Sequence, residues 1–186
     1  DEKKGDNHYN CPVVAYYPEV IRCNVKMNEG TRFLSPFLNI SNEKTFSKYF
    51  TIQMNKEGID LDERDVKRAA GLAYKALAEY KSDVEKEGER IIEKAEKENI
   101  PLVVLVGRPY HVDSEINHGI DTLLTSLGVA IITEDSVSRK EEKFRTMVLN
   151  QWTYHSRLYG AAKWVRDRKD NRTVLIHLVS FGCGVD

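Results

Sequence analysis

The chain has 186 residues, 41% of them hydrophobic and 31% charged, and its 28 basic and 29 acidic side chains leave a formal charge of −1. That composition can bury a core as one domain and excludes a disordered, collagen-like or disulfide-stapled chain. It supplies no net basic field for nucleic acid or an anionic membrane surface, no apolar run nears the ~20 residues of a membrane-spanning helix, and the charged start does not resemble a signal peptide. We therefore expect a cytoplasmic protein with neither nucleic acid nor membrane as partner.

Residues 1–10 read as a polar lead-in. Cys11 to Tyr17 is a short apolar strand or buried loop, and Pro18 suits the first turn of a helix running to about Met27. Phe33 to Ile40 contains Pro36, which limits it to an edge strand or extended loop. Ser41 to Lys56 has helical apolar spacing, and from Asp62 to Asn99 Val66, Ala70, Ala73, Leu77, Tyr80, Val84, Ile91 and Ala95 step by threes and fours. The latter is one long helix or a helical pair, with Gly88 as the place for a break.

After Pro101 the pattern becomes strand, helix, strand, helix, strand. Leu102 to Val106 is continuously apolar and branched, as a central parallel strand should be; Asn117 to Leu127 is a short helix and Val129 to Thr133 a second strand. Lys140 to Lys169 reads as mostly helical and Thr173 to Ser180 as the third strand. The alternation predicts an α/β fold, a Rossmann- or flavodoxin-like parallel sheet with flanking helices. We expect residues 1–186 to form one α/β domain, a fragment of a larger chain, with 62–99 packed on or beside it.

Ligands in such sheets lie beyond the carboxyl ends of the strands, where two unusual loops fall. The first runs from Gly107 and Arg108 through Pro109, Tyr110 and His111 to His118. Gly107 would let backbone approach a ligand, Arg108 would hold a phosphate or carboxylate, and His111 would move a proton or accept a hydrogen bond. The plainer alternative is that Arg108 pairs with a carboxylate and His111 or Asn117 caps the next helix. The second loop, Gly182-Cys183-Gly184, leaves a sulfur open to a metal, a cluster or an electrophile. Cys11 precedes a helix start, where the dipole favours negative charge. Cys23 reads as packing inside a helix, and His8, His155 and His177 carry little singly, His177 sitting in a strand. Three widely spaced cysteines do not suit a disulfide framework, which leaves reduced thiols or metal ligands. No phosphate-binding glycine motif, His-Glu-x-x-His or Cys-x-x-Cys occurs.

Six signatures in order nevertheless resemble one family: Asn10-Cys11-Pro12-Val13-Val14 with Tyr17-Pro18-Glu19-Val20-Ile21; Phe33-Leu34-Ser35-Pro36-Phe37-Leu38; Gly107-Arg108-Pro109-Tyr110-His111 with Glu115-Ile116-Asn117-His118-Gly119; Thr133-Glu134-Asp135; Gln151-Trp152-Thr153-Tyr154-His155; and Ser180-Phe181-Gly182-Cys183-Gly184. They resemble the large activase-related proteins of the anaerobic 2-hydroxyacyl-CoA (2-hydroxyglutaryl-CoA) dehydratases, and the chain is similar to their dehydratase-like portion. The resemblance implies an ATP-hydrolysing activator, in the same or another chain, as partner. It also implies a [4Fe–4S] or double-cubane iron–sulfur cluster and a low-potential electron delivered to an acyl-CoA or other small substrate. By motif position Cys11 and Cys183 would be metal ligands, with Gly182 and Gly184 beside the cofactor. From residue type and strand-end position, the site loop would carry Arg108, His111 and His118 as catalytic residues, with Arg108 on an anionic group and His111 as proton donor or hydrogen-bond partner. Two cysteines fall short of the about four donors a cluster takes, so the isolated fragment is expected to lack the cofactor and activity. A non-catalytic docking domain for the activator, and a flavodoxin-like domain binding CoA or a nucleotide through Arg108, remain open alternatives.

Overall fold

The computed structural model describes residues 5–6, 11–113, 115–180 and 182. Two compact units result: Cys11–Tyr80, and Lys81–Asp186 together with Asp1–Asn10.

In the unit Cys11–Tyr80, α1 (Pro12–Asn24) begins at a proline in N1, whose missing N–H costs nothing there. Cys11 is its N-cap residue. The helix therefore starts six residues earlier than Pro18 suggests and takes up the stretch expected as a strand or buried loop; Pro18 is accommodated inside it. Residues 31–40 are irregular, as Pro36 requires. Helix α2 (Glu43–Lys56) is capped by Asn42, whose Oδ1 accepts the Thr45 N–H at 3.0 Å. Phe46 stacks on Phe50 at 5.5 Å and meets Tyr74 edge-on at 6.1 Å. The Tyr74 hydroxyl donates to the Ile40 carbonyl at 2.6 Å, tying the extended segment to the helices.

Helix α3 (Glu63–Glu98) is unbroken over 36 residues. It opens on Asp62, whose Oδ1 accepts the Arg64 N–H at 2.7 Å, and it closes at Asn99, left-handed at φ 57°, with the Ile100 N–H returning to the Ala95 carbonyl at 2.9 Å. Gly88 marks no break. A Cβ there would stand 2.5 Å from the Ser136 Cβ, so this glycine lets the segment after β2 lie directly against the helix.

The second unit is mixed α/β. Strands β1 (Leu102–Val106), β2 (Ala130–Thr133) and β3 (Thr173–His177) form an open parallel sheet ordered β2-β1-β3, with Leu102 opposite both Ala130 and Thr173. All five residues of β1 are buried, the expected outcome for a central strand covered on both faces. The core joins Ile92 and Ala95 of α3 to Leu102, Val104, Val106 and Ile132 of the sheet, and to Val137, Leu158 and Ala161. Helices α4 (Ile120–Ser126) and α5 (Thr153–Arg168) make the crossovers. The architecture is that of a Rossmann- or flavodoxin-like sheet with flanking helices, as the sequence pattern predicts.

Two expected elements are shorter. Helical spacing over 140–169 resolves into a 3-10 turn at Ser138–Lys140, an irregular stretch, and α5 alone. Met147, Val148 and Leu149 are three consecutive exposed apolar residues, which cannot share one buried helix stripe. Strand β3 ends at His177; one further ladder bond, Leu178 N–H to the Val106 carbonyl at 2.8 Å, guides the chain past the end of β1.

Candidate functional site at the carboxyl edge of the sheet

The order β2-β1-β3 sends the first crossover to one side of β1 and the next to the other. The carboxyl ends of β1 and β3 thus flank a topological switch point, where open α/β sheets place their ligands. Gly107 and Arg108 leave β1 there, and Pro109–Val112 form a 3-10 turn.

The turn places His111 back over Gly107. The Arg108 backbone N–H donates to His111 Nδ1 at 2.9 Å, and His111 Nε2 lies 3.1 Å from Ser180 Oγ, three residues past β3. Ser180 Oγ is 2.6 Å from the Tyr110 hydroxyl, whose ring meets the imidazole edge-on at 4.4 Å. Because Nδ1 accepts an N–H, the neutral ring carries its proton on Nε2. Arg108 is 7% exposed and His111 8%, while Tyr110 is 45% exposed, so the cluster runs from a buried imidazole on the Arg108 amide to a phenol at the surface.

Gly107 has a different task from the one its sequence suggests. A Cβ would come within 2.6 Å of His111 Nδ1 and 3.1 Å of the Leu178 carbonyl, so its space is filled by the protein's own histidine and by the backbone after β3. His118 is exposed, with φ 56°, in the turn before α4. Nearby, Asn117 is buried; its Oδ1 accepts the Gly119 N–H at 2.8 Å and its Nδ2 has no partner among the described residues. Gly182 adopts φ 81°, a left-handed conformation suited to glycine, whereas Cys183 and Gly184 lie outside the described residues.

At the end of β2, Glu134 is 3% exposed and accepts from Arg157 of α5 at 2.7 Å; Asp135 is 3.6 Å from the same guanidinium. Burial pushes the Glu134 carboxyl up to about 7 despite Arg157, and the Asp135 charge pushes the same way. Buried around the same crossover are Ser136, Ser138, Asn150, His155 and Ser156, with the Ser156 hydroxyl on Asn150 Oδ1 at 3.0 Å. A Cβ at Gly160 would stand 2.8 Å from the Ser138 carbonyl, so Gly160 lets the crossover approach α5.

Cys11 is half-buried at the start of α1, and Cys23 is exposed near the other end of that helix rather than packed. Twelve residues of helix separate them by ~18 Å. Among the described residues no group of three His, Cys, Asp or Glu side chains could hold a metal ion.

Two of the residues singled out in the sequence, Arg108 and His111, are thus adjacent at the sheet edge. Sequence reasoning gave no role to Tyr110, Ser180, Glu134 or Arg157. The first three lie in the quoted signatures, but the Ser180 contact needs the parallel pairing of β1 with β3, which residue spacing does not contain.

Fold and site define a parallel α/β protein with a polar site at a flavodoxin-like switch point. The family described as CoA enzyme activase uncharacterised domain (DUF2229) matches residues 1–137, and the chain belongs to it. No curated protein and no solved structure matches the chain. Among the described residues no helix is long and apolar enough to cross a membrane.

Proposed function

We propose that this member of a CoA enzyme activase family is the substrate-side, dehydratase-like component of an ATP-driven system acting on an acyl-CoA or other small anionic substrate. The observation that carries the reading is the placement of buried Arg108 and His111 at the β1/β3 switch point, linked to the surface through Ser180 and Tyr110. Arginine is the residue type suited to a phosphate or carboxylate. A neutral imidazole with its proton on Nε2 acts as a hydrogen-bond donor, the second of the roles expected for it.

The finer part of the proposal is redox chemistry. Cys11 and Cys183 would contribute thiolates to an iron–sulfur cluster of the [4Fe–4S] or double-cubane type, completed by donors beyond the described residues, and such a cluster would supply low-potential one-electron chemistry in partnership with the ATP-hydrolysing activator. What supports this is the family together with the cysteine-bearing signatures; thiolates are the usual donors to such clusters. Anaerobic iron and sulfide analysis of the longest native chain containing this sequence tests it. Cys11→Ala and Cys183→Ala are each expected to lower the cluster content, and content unchanged in both would overturn the redox assignment.

One observation favours a second reading, a docking domain for the activator. Helix α1 has no buried residue, and Val13, Tyr16, Tyr17 and Val20 are each more than half exposed. Under that reading Tyr16→Ser with Val20→Ser abolishes activator binding while the cluster content is unaffected.

A further inference from the structure

The hydrogen bonds at the switch point have a direction set by the backbone. An amide N–H can only donate, so Arg108 fixes His111 Nδ1 as an acceptor and Nε2–H as a donor. Nε2–H points at Ser180 Oγ, 3.1 Å away. The Ser180 hydroxyl has two partners among the described residues, the Tyr110 hydroxyl and His111 Nε2, and of these only Tyr110 can accept a proton from it, because the imidazole nitrogen already carries one. The Ser180–Tyr110 contact can run either way; the sense that gives the Ser180 proton a partner among the described residues has Ser180 donate to Tyr110 Oη, which leaves the O–H of this 45% exposed tyrosine for a ligand. Donors aligned in this sense polarise one another.

The arrangement also excludes an alternative. A serine beside a histidine suggests a nucleophile and its base, but a base must accept the serine proton on Nε2. Here Nε2 is the protonated nitrogen.

We infer that the Tyr110 hydroxyl, the outer end of the chain Arg108 N–H, His111, Ser180, Tyr110, is a ligand-binding donor for a carbonyl or carboxylate oxygen at the β1/β3 edge. The inference rests on the substrate-side reading above and adds to it a contact residue, Tyr110, and a positioning pair, His111 and Ser180. It does not depend on any cluster.

The test compares acetyl-CoA with CoA, which lacks the thioester carbonyl, by calorimetric titration of the chain. Tyr110→Phe is expected to weaken acetyl-CoA by about tenfold, the scale of one lost hydrogen bond, and to leave CoA unchanged. Ser180→Ala, which frees Tyr110 to turn, should weaken acetyl-CoA by a smaller factor in the same sense. Nitrogen-15 spectra should show His111 protonated on Nε2 and not on Nδ1. Equal losses for both probes, no loss for either, or a ring protonated on Nδ1 would overturn the donor role while leaving the substrate-side reading intact. Failure of the wild-type chain to bind either probe would sink both.

Discussion

Two ends of the same sheet edge handle buried polar groups in opposite ways. At the β1/β3 end, the Arg108 amide and the buried His111 lead through Ser180 to the half-exposed Tyr110. At the β2 end, Glu134 meets Arg157 and is closed over by the crossover that Gly88 and Gly160 admit. The first opens to the surface at Tyr110. The second is a sealed polar core that holds the crossover in place, and its cost of desolvation is visible in the raised Glu134 carboxyl.

Removing Arg157 should give the largest effect. Arg157→Ala leaves Glu134 buried without its cation, and we expect a loss of about 3–5 kcal/mol at alkaline pH, measured by chemical denaturation. Because Glu134 can take up a proton near neutrality, the loss should shrink at pH 5. A loss independent of pH would mean that the Glu134 charge is not the cause.

At the other end, Gly107→Ala should cost about 1–3 kcal/mol, since the new Cβ would stand 2.6 Å from His111 Nδ1. It should also displace the imidazole and remove the Nε2–H signal from its Ser180 environment, whereas Gly88→Ala should destabilise without touching that signal. Identical spectra for the two variants would erase the distinction between the ends.

A smaller effect is the pH dependence of stability in the wild type. Glu134 titrates near 7 when folded and at the ordinary 4.5 when unfolded, so between these values the native state holds the extra proton. Stability is then highest below the lower value and falls as pH rises toward 7, by at most about 1.4 kcal/mol per pH unit from this group. Glu134→Gln should flatten that slope.

The smallest expected change is Ser156→Ala, which removes one buried hydroxyl from Asn150 and should cost about 1 kcal/mol, with acetyl-CoA binding unchanged.

Much of the parallel unit was legible in the sequence because β1 must be apolar on both faces and helical stretches separate the strands. The unbroken α3 was legible as a seam, but the fate of Gly88 was not, since its close contact is Ser136, 48 residues away in sequence. The start of α1 was misplaced because two prolines, Pro12 and Pro18, both suit a first turn, and only the cap conformation of Cys11 decides between them. The extra helix after Lys140 was read from a spacing of four that continued through Phe144 and Val148, where the chain instead makes local bonds such as Thr146 Oγ1 to the Val148 carbonyl at 2.6 Å. At the site, residue type pointed to Arg108 and His111, whereas their direction and partners come from long-range pairing. Gly107 shows the limit most plainly: a glycine after a strand reads as room for a ligand, and its room is taken by His111.

The most direct measurement is a backbone amide shift map of the chain titrated with acetyl-CoA. The β1/β3 assignment predicts that the largest changes fall on Arg108, Tyr110, His111 and Ser180, with Glu134 and Arg157 nearly still. Changes centred on the Glu134–Arg157 end, or none at all, would contradict it.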